Sequence, residues 1–296
     1  MRILIIGSGG QLGTDCVNIL QKNYEIVPID YPQIDIGSRI SVETALHASA
    51  PGVIINCAAY TAVDKCETEQ EAAWKINADG PRYIAESAAS QGCRIIHIST
   101  DYVFDGKKQL PKPYGEDDQV NPLSEYGKSK LAGEQQTLKF APDAIILRTA
   151  WLYSAHGPNF LKTMLRLALS EPRRAFNVVD DQFGSLTWSY TLALQIERLL
   201  DSSLTGILHA TSEGYSSWYE AACYFLAKID VSHSFVPCTT AQYPTAAHRP
   251  TNSILSNTVL KRHKLSMFRS WQEDVDLFVN QHRERLLEEA RAQLQS

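Results

Sequence analysis

No stretch of this 296-residue sequence stays apolar long enough to cross a bilayer. The amino-terminal run Ile3-Leu4-Ile5-Ile6 stops at Gly7 and follows a single basic residue, too short for the apolar region of a secretory signal. Cysteine is sparse and unpatterned. The six thiols (Cys16, Cys57, Cys66, Cys93, Cys223, Cys238) form no Cys-x-x-Cys, which points away from a disulfide framework or zinc site and towards a reducing compartment. Positive charge is not in excess either. With 28 Lys and Arg against 33 Asp and Glu, the formal charge of −5 argues against nucleic acid or an acidic membrane as the partner. Internal repeats and low-complexity segments are missing. What remains, 44% hydrophobic and 21% charged residues, suits a soluble globular enzyme of one large domain or two intimate ones, expected in the cytoplasm.

The first half carries a clear pattern. Ile3 to Ile6 is a continuous apolar run, as expected of a parallel strand buried on both faces. It enters Gly7-Ser8-Gly9-Gly10-Gln11-Leu12-Gly13, and Cys16 to Leu20 continues at helical spacing. Strand, glycine-rich turn and helix together bring backbone N–H groups to a pyrophosphate, so Gly7, Gly10, Gln11, Leu12 and Gly13 are expected to hold a dinucleotide. The glycines fit Gly-x-x-Gly-x-x-Gly, a one-residue variant of the usual fingerprint. A second strand, Glu25 to Ile29, ends at Asp30, whose carboxylate suits ribose hydroxyls and repels a 2′-phosphate. No Arg or Lys follows until Arg39, so the cofactor is NADH or NADPH with a mild lean to NADH. Asp35-Ile36 reads as a turn lining the adenine pocket or as a plain surface turn.

Further strands are expected at Val53–Asn56, Ile95–Ser99 and Ala144–Leu147, separated by helices over Glu69–Gln91 and from about Glu125. Alternation of this kind implies right-handed crossovers and an α/β fold with a doubly wound parallel sheet, Rossmann-like, whose ligands sit beyond the carboxyl ends of the strands. Asn56-Cys57-Ala58-Ala59, Ser99-Thr100-Asp101 and Arg148-Thr149-Ala150-Trp151 all fall there, which predicts one cleft. His97, between isoleucines, reads as a core imidazole. Tyr126-Gly127-Lys128-Ser129-Lys130 places a phenol and an ammonium one helical turn apart on one face. A phenol titrates near pH ~10, and a neighbouring cation pulls that value towards the range where Tyr exchanges a proton with substrate. Taken alone, the pair is equally an exposed, solvated couple; the cleft-forming strands give it weight.

Those residues together resemble the extended short-chain dehydrogenases/reductases. Longer strings narrow the likeness: Asn56-Cys-Ala-Ala-Tyr-Thr-Ala-Val-Asp-Lys65, Ser99-Thr-Asp-Tyr-Val-Phe-Asp-Gly106, Tyr126-Gly-Lys-Ser-Lys-Leu-Ala-Gly-Glu134, Asp181-Gln-Phe-Gly184 and His248-Arg249-Pro250. With them the chain, to about Trp271, is similar to the dTDP-4-dehydrorhamnose reductase family. The resemblance implies NAD(P)H-dependent reduction of the 4-keto group of dTDP-4-dehydro-L-rhamnose to dTDP-L-rhamnose. It implies Tyr126 as proton donor, Lys130 on the nicotinamide ribose and lowering the tyrosine pKa, and Thr100 as donor to the carbonyl oxygen. Strand alternation sends Ser99 to the other side from Thr100. Asn77 matches a superfamily asparagine and is either a relay or a helix-packing amide. Ala58 and Ala59 border the cofactor; Thr61, Val63, Thr100, Asp101 and Trp151 border the nucleotide-sugar substrate. Arg249 is expected on its diphosphate, with a surface salt bridge as the other reading. Two alternatives stay open: another nucleotide-linked 4-keto sugar, or a non-catalytic regulatory subunit resembling that of methionine adenosyltransferase.

Beyond Trp151 the alternation loosens. A helix over Asn159–Leu169, a strand over Phe176–Val179, a helix over Ser189–Leu200, a strand over Gly206–Ala210 and a helix over Ser217–Leu226 are expected. Residues 1–150 with about 177–211 would form the dinucleotide-binding domain, and about 151–176 with 212–296 the substrate-binding lobe. Ser270-Trp271-Gln272-Glu273 is a capping box that opens a last helix. Arg283 to Ser296 runs past the family's usual end and reads as a solvated helix end, with an oligomer contact as the alternative; a homodimer stays open. Some family members are metal-bridged dimers through acidic side chains. Asp15 suits one such position but Tyr190 stands at another, so no metal is expected.

Overall fold

The computed structural model describes residues 1–294. Its frame is a six-stranded, all-parallel sheet: β1 (Arg2–Ile6), β2 (Glu25–Ile29), β3 (Val53–Asn56), β4 (Arg94–Thr100), β5 (Ile145–Thr149) and β6 (Gly206–His209), in the order β6-β5-β4-β3-β1-β2. This is the doubly wound α/β fold. Both faces are covered, which is why these strands read as unbroken apolar runs. One face (Ile3, Ile5, Val53, Ile55, Ile96, Leu147) packs on α1 (Gln11–Leu20) and α4 (Ser189–Leu200). The other (Leu4, Ile6, Ile54, Ile95) packs on helices Arg39–Ser49 and Gly80–Gln91. Chain order reverses across β1, between β3 and β2, and a cleft at the strand ends there is the expected ligand site.

Three expectations need correction. Glu69–Gln91 is not one helix: it runs as Gln70–Trp74, a π-turn at Lys75–Asp79, then Gly80–Gln91. The π-turn places Asn77 against the loop after β3, a use typical of such insertions. The strand Ala175–Val179 does not accompany the cofactor sheet. It pairs in parallel with Ser234–Cys238, and Val178 enters the core of the second lobe, because its small sheet is completed from a segment about sixty residues on, beyond the reach of local pattern. Third, α6 (Trp271–Ala292) is not a solvated end beyond Arg283. Leu286, Leu287 and Ala290 are buried with Phe278 and Val279 in the lobe's core, against α3 (Phe160–Ser170) and α5 (Trp218–Lys228). Spacing of four and three residues keeps the apolar stripe on one face. Gln295 and Ser296, the last two residues of that expected extension, lie outside the described residues.

Ser270 caps α6 as expected, its hydroxyl accepting from Glu273 N while Glu273 reaches back to Ser270 N. No helix among the described residues is long and apolar enough to cross a membrane.

Candidate active site

One cleft of about 800 Å³ opens at the strand ends. Its wall gathers Gly7, Gly10, Gln11, Leu12, Gly13, Asp30, Asp35, Ile36, Ala58 and Ala59 from the predicted cofactor set. Thr61, Val63, Thr100, Asp101, Tyr126, Lys130 and Trp151 line it too. Arg249 does not. Its guanidinium forks onto Asp64, at 3.0 Å from Nη1 to Oδ1 and 2.9 Å from Nη2 to Oδ2, joining the segment before Pro250 to the start of the short helix Val63–Cys66.

The glycine turn is built by close approach. Gly7 sits at φ +79°, in the left-handed region where a side chain is strained, and a Cβ there would lie 2.7 Å from Ala58 N. A Cβ on Gly13 would lie 2.1 Å from Gly7 O, so only glycine lets α1 start this close to the turn. Asp30 closes the turn, its Oδ2 accepting from Gly9 N at 2.8 Å and its Oδ1 from Tyr31 N at 2.8 Å. Backbone, not side chains, faces the space at this turn, a surface that can hold a phosphate.

At the other end stands α2 (Glu125–Phe140). Ser124 caps it by accepting from Gly127 N, and Gly127 has no Cβ because Tyr102 O lies 2.2 Å from where one would be. The first turn of α2 is thereby pressed onto the turn Asp101–Val103, with Tyr126 edge-on to Tyr102 at 5.4 Å. Thr100 Oγ1 donates to Asp101 Oδ1 at 2.9 Å, accepts from Tyr102 N, and lies within hydrogen-bonding reach of the Tyr126 phenol. Strand alternation does separate Ser99, which faces the other way and donates to Glu134 Oε1 at 2.5 Å. Lys130 is 2% exposed and donates to Ile98 O at 2.7 Å.

The electrostatics depart from expectation. Burial and the Asp101 carboxylate push the Tyr126 phenol up, outweighing the Thr100 hydrogen bond, and Lys130 does not lower it. The reason is that Lys130 is itself desolvated: burial lowers its ammonium to about 8, against the pull of Glu134. Burial also raises the Asp101 carboxyl to about 6, against hydrogen bonds from the Ser253 and Thr100 hydroxyls. The cleft therefore holds a neutral phenol, an ammonium weakened by burial but still mostly charged at pH 7, and a carboxyl raised above its ordinary range.

Two side residues resolve into positioning groups. Asn77 donates to Tyr60 O and Ser129 Oγ and accepts from Tyr60 N, tying the loop after β3 to α2, contacts that suit the packing reading. His97 is buried, paired through Nδ1 to Asn56, and held neutral by burial and by Lys130.

Sequence reasoning placed Trp151 at the cleft but missed the two rings that complete its aromatic wall, Trp218 and Phe160. Trp151 adopts φ +48°, a strained conformation for a non-glycine worth about 1–3 kcal/mol, and stacks on Trp218 with centroids 3.5 Å apart and planes at 9°. Phe160 adds a third ring 4.6 Å from Trp218. Gly184 explains the Asp-Gln-Phe-Gly string: a Cβ there would lie 2.4 Å from Trp151 Cε2. Trp218 follows Ser217 in a Ser-x-x-Glu capping box, which marks it as the opening residue of α5. Nothing local shows that this helix start faces the cleft.

Comparison with known proteins comes out consistently. The sequence model of the RmlD substrate binding domain matches residues 1–284. A dTDP-4-dehydrorhamnose reductase of Aggregatibacter actinomycetemcomitans is 40% identical over 88% of this chain and 92% of its own length. A dTDP-4-keto-6-deoxy-D-glucose reductase of Streptomyces niveus is 36% identical over 91% and 93%. Among solved structures, a Bacillus anthracis dTDP-4-dehydrorhamnose reductase in complex with NADP superposes with a TM-score of 0.90 at 36% identity, covering 95% of this chain and 99% of that one.

Proposed function

This chain belongs to the RmlD substrate binding domain family, and from that premise we propose that it reduces the 4-keto group of dTDP-4-dehydro-L-rhamnose, giving dTDP-L-rhamnose, with NADH or NADPH. The observation that carries this is the meeting of Thr100, Tyr126 and Lys130 in the same cleft as the glycine turn. The turn fits the dinucleotide because its backbone, bare of Cβ atoms at Gly7 and Gly13, is what faces that space. A bound dihydronicotinamide supplies the hydride.

The chain's own residues do the rest. Gly7, Gly10, Gln11, Leu12 and Gly13 hold the pyrophosphate, Asp30 the adenosine ribose, Asp35 and Ile36 the adenine, with Ala58 and Ala59 alongside. Lys130 binds ribose hydroxyls on the nicotinamide side. Tyr126, its phenol raised by burial, stays protonated and delivers that proton to the substrate oxygen. Thr100 turns its single hydroxyl proton from Asp101 Oδ1 to the same oxygen as negative charge grows there. Asp101, Thr61, Val63 and Trp151 border the sugar and shape the pocket. Arg249 reaches a substrate diphosphate only by releasing Asp64. The Asp30 carboxylate at the turn favours NADH, while the NADP found with the Bacillus anthracis relative keeps NADPH in play. Residues 1–150 with 189–210 form the dinucleotide-binding part, with Leu260 packed into its core, and 151–188 with most of 211–294 form the substrate lobe.

A second reading, the same chemistry on another dTDP-4-keto-6-deoxy sugar, is favoured by the name of the Streptomyces niveus relative. The test is oxidation of NADH and NADPH by the purified chain with each sugar, product identified by NMR. Stoichiometric formation of dTDP-L-rhamnose is expected. Tight dinucleotide retention without turnover on either sugar overturns the proposal and leaves a binding protein.

A further inference from the structure

The loop 154–158 joins the short strand Leu152–Tyr153 to α3, and Gly157 and Pro158 form part of the cleft wall beside the glycine turn. The two walls touch: a Cβ on Gly157 would lie 3.4 Å from Gln11 Cγ, and Asn159 Nδ2 donates to Gln11 Oε1 at 3.3 Å and to Ser154 O at 2.8 Å. Ser154, fully buried, donates to Asp15 Oδ2 on α1 at 2.9 Å. The far side of the loop is held by one residue. Lys162 Nζ donates to Ala155 O at 3.0 Å and to Gly157 O at 3.2 Å, and its remaining N–H meets Glu289 Oε2 at 2.7 Å. An ammonium has three donors, and here all three are used.

Glu289 belongs to the last turns of α6, beyond residue 284, where the family match stops. Those turns are fixed in place by Leu286, Leu287 and Ala290 in the lobe's core. Arg285 Nε donates to Glu289 Oε1 at 2.8 Å, orienting the carboxylate. Burial alone would raise that carboxyl, but Lys162 and Arg285 together hold it below the ordinary Glu range.

We propose that Lys162 is a positioning residue for the dinucleotide cleft, pinning the loop 154–158 against the glycine turn, and that the carboxyl-terminal helix supplies its anchor through Glu289. The inference rests on the dinucleotide reading above. Neither side chain lines the cleft, so they act through backbone carbonyls. Their loss loosens a wall and removes no ligand contact. The pair is part-buried, its side chains 17% and 33% exposed, and the Lys162 contacts end on loop carbonyls, so the effect belongs to the loop and not to global stability.

The test uses the full chain, its Lys162→Met, Lys162→Arg and Glu289→Gln variants, and two measurements: dissociation constants for NADH and NADPH by calorimetry, and hydrogen exchange of amides 154–160. For Lys162→Met, affinity should fall about tenfold, equivalent to roughly 1.4 kcal/mol. Exchange in the loop should quicken while the helical core keeps its protection. Glu289→Gln should fall between this and the parent, and Lys162→Arg should recover part of the loss. KM for the sugar nucleotide should stay within twofold. Unchanged loop exchange in a folded Lys162→Met protein overturns the proposal, as does equal weakening of dinucleotide and sugar binding. If the parent binds neither dinucleotide, the cofactor reading fails, and loop exchange alone still decides whether Lys162 is the pin.

Discussion

The two halves of the molecule contribute to one cleft by different means. The sheet half supplies residues at strand ends, where period-two alternation and parallel register dictate which side chain faces which way: Ser99 pairs in register with Arg148 and both turn to Glu134, while Thr100 pairs with Thr149 and both line the cleft. The lobe half supplies rings and loops, Trp218, Phe160 and Gly157, each positioned by contacts with distant segments. The first half therefore carries chemistry that tolerates no displacement, and the second carries shape. If that division is real, substitutions on the two sides should damage different kinetic constants.

The largest effect should come from the sheet side. Tyr126→Phe keeps the ring packed against Tyr102 and removes only the hydroxyl, so turnover should drop by roughly 10²–10⁴-fold while dinucleotide affinity holds, measured by single-turnover rates and calorimetry. A variant within a factor of three of the parent removes the phenol from the chemistry. Next comes the lobe. Trp218→Ala takes away one partner of the stack that covers the strained Trp151, and KM for the sugar nucleotide should rise about tenfold, a loss near 1.4 kcal/mol, with dinucleotide affinity unmoved. A change confined to kcat would erase the contrast between the halves.

Lys130 sharpens the comparison through pH. Burial lowers its ammonium to about 8, below the ~10.4 of an unfolded chain. Between those values the unfolded state holds more protons, so this group makes stability rise with pH across about 8 to 10.4. Over the same window the charged lysine disappears, and kcat/KM, which reports the free enzyme, should fall about tenfold per pH unit above 8. Opposite slopes in stability and activity are the signature. Raised cysteines and tyrosines such as Cys66 and Tyr126 give slopes of the other sign in this window, so the Lys130 contribution is read as the difference between the parent and Lys130→Met. A lobe variant such as Trp218→Ala should track the parent in both measurements.

This asymmetry also explains what could be read from sequence. The cofactor wall was legible because each element there is local: an apolar run, glycines at fixed spacing, an acid at the next strand's end. Gly13 is required by contacts within that one unit, whereas Gly7 is pressed by Ala58 from the end of β3. The strand Ala175–Val179 was found but not its partner, since Ser234–Cys238 lies far along the chain and carries no pairing signal. Trp218 was visible as a helix start and invisible as a cleft ring. The direction of the Tyr126 shift was misread for a related reason. Helical spacing gives the proximity of Lys130, but burial, which dominates both groups, depends on the whole packed surround.

The smallest effect concerns the one predicted residue outside the cleft. Arg249 and Asp64 form a bidentate pair across the two halves, with side chains 25% and 44% exposed. An ion pair this open to solvent contributes about 0–1 kcal/mol, so Asp64→Asn should shift the unfolding midpoint by only a few degrees. Its value is in what it frees. If Arg249 exchanges Asp64 for a substrate diphosphate, releasing it beforehand lowers the cost of binding, and Asp64→Asn should lower KM for the sugar nucleotide about two- to threefold. Arg249→Gln should raise it. If the pair is only a brace, both substitutions loosen the same contact and KM moves in the same direction for each. Opposite signs in the two variants would extend the catalytic surface across the boundary between the halves; matching signs would leave the chemistry on the sheet side alone.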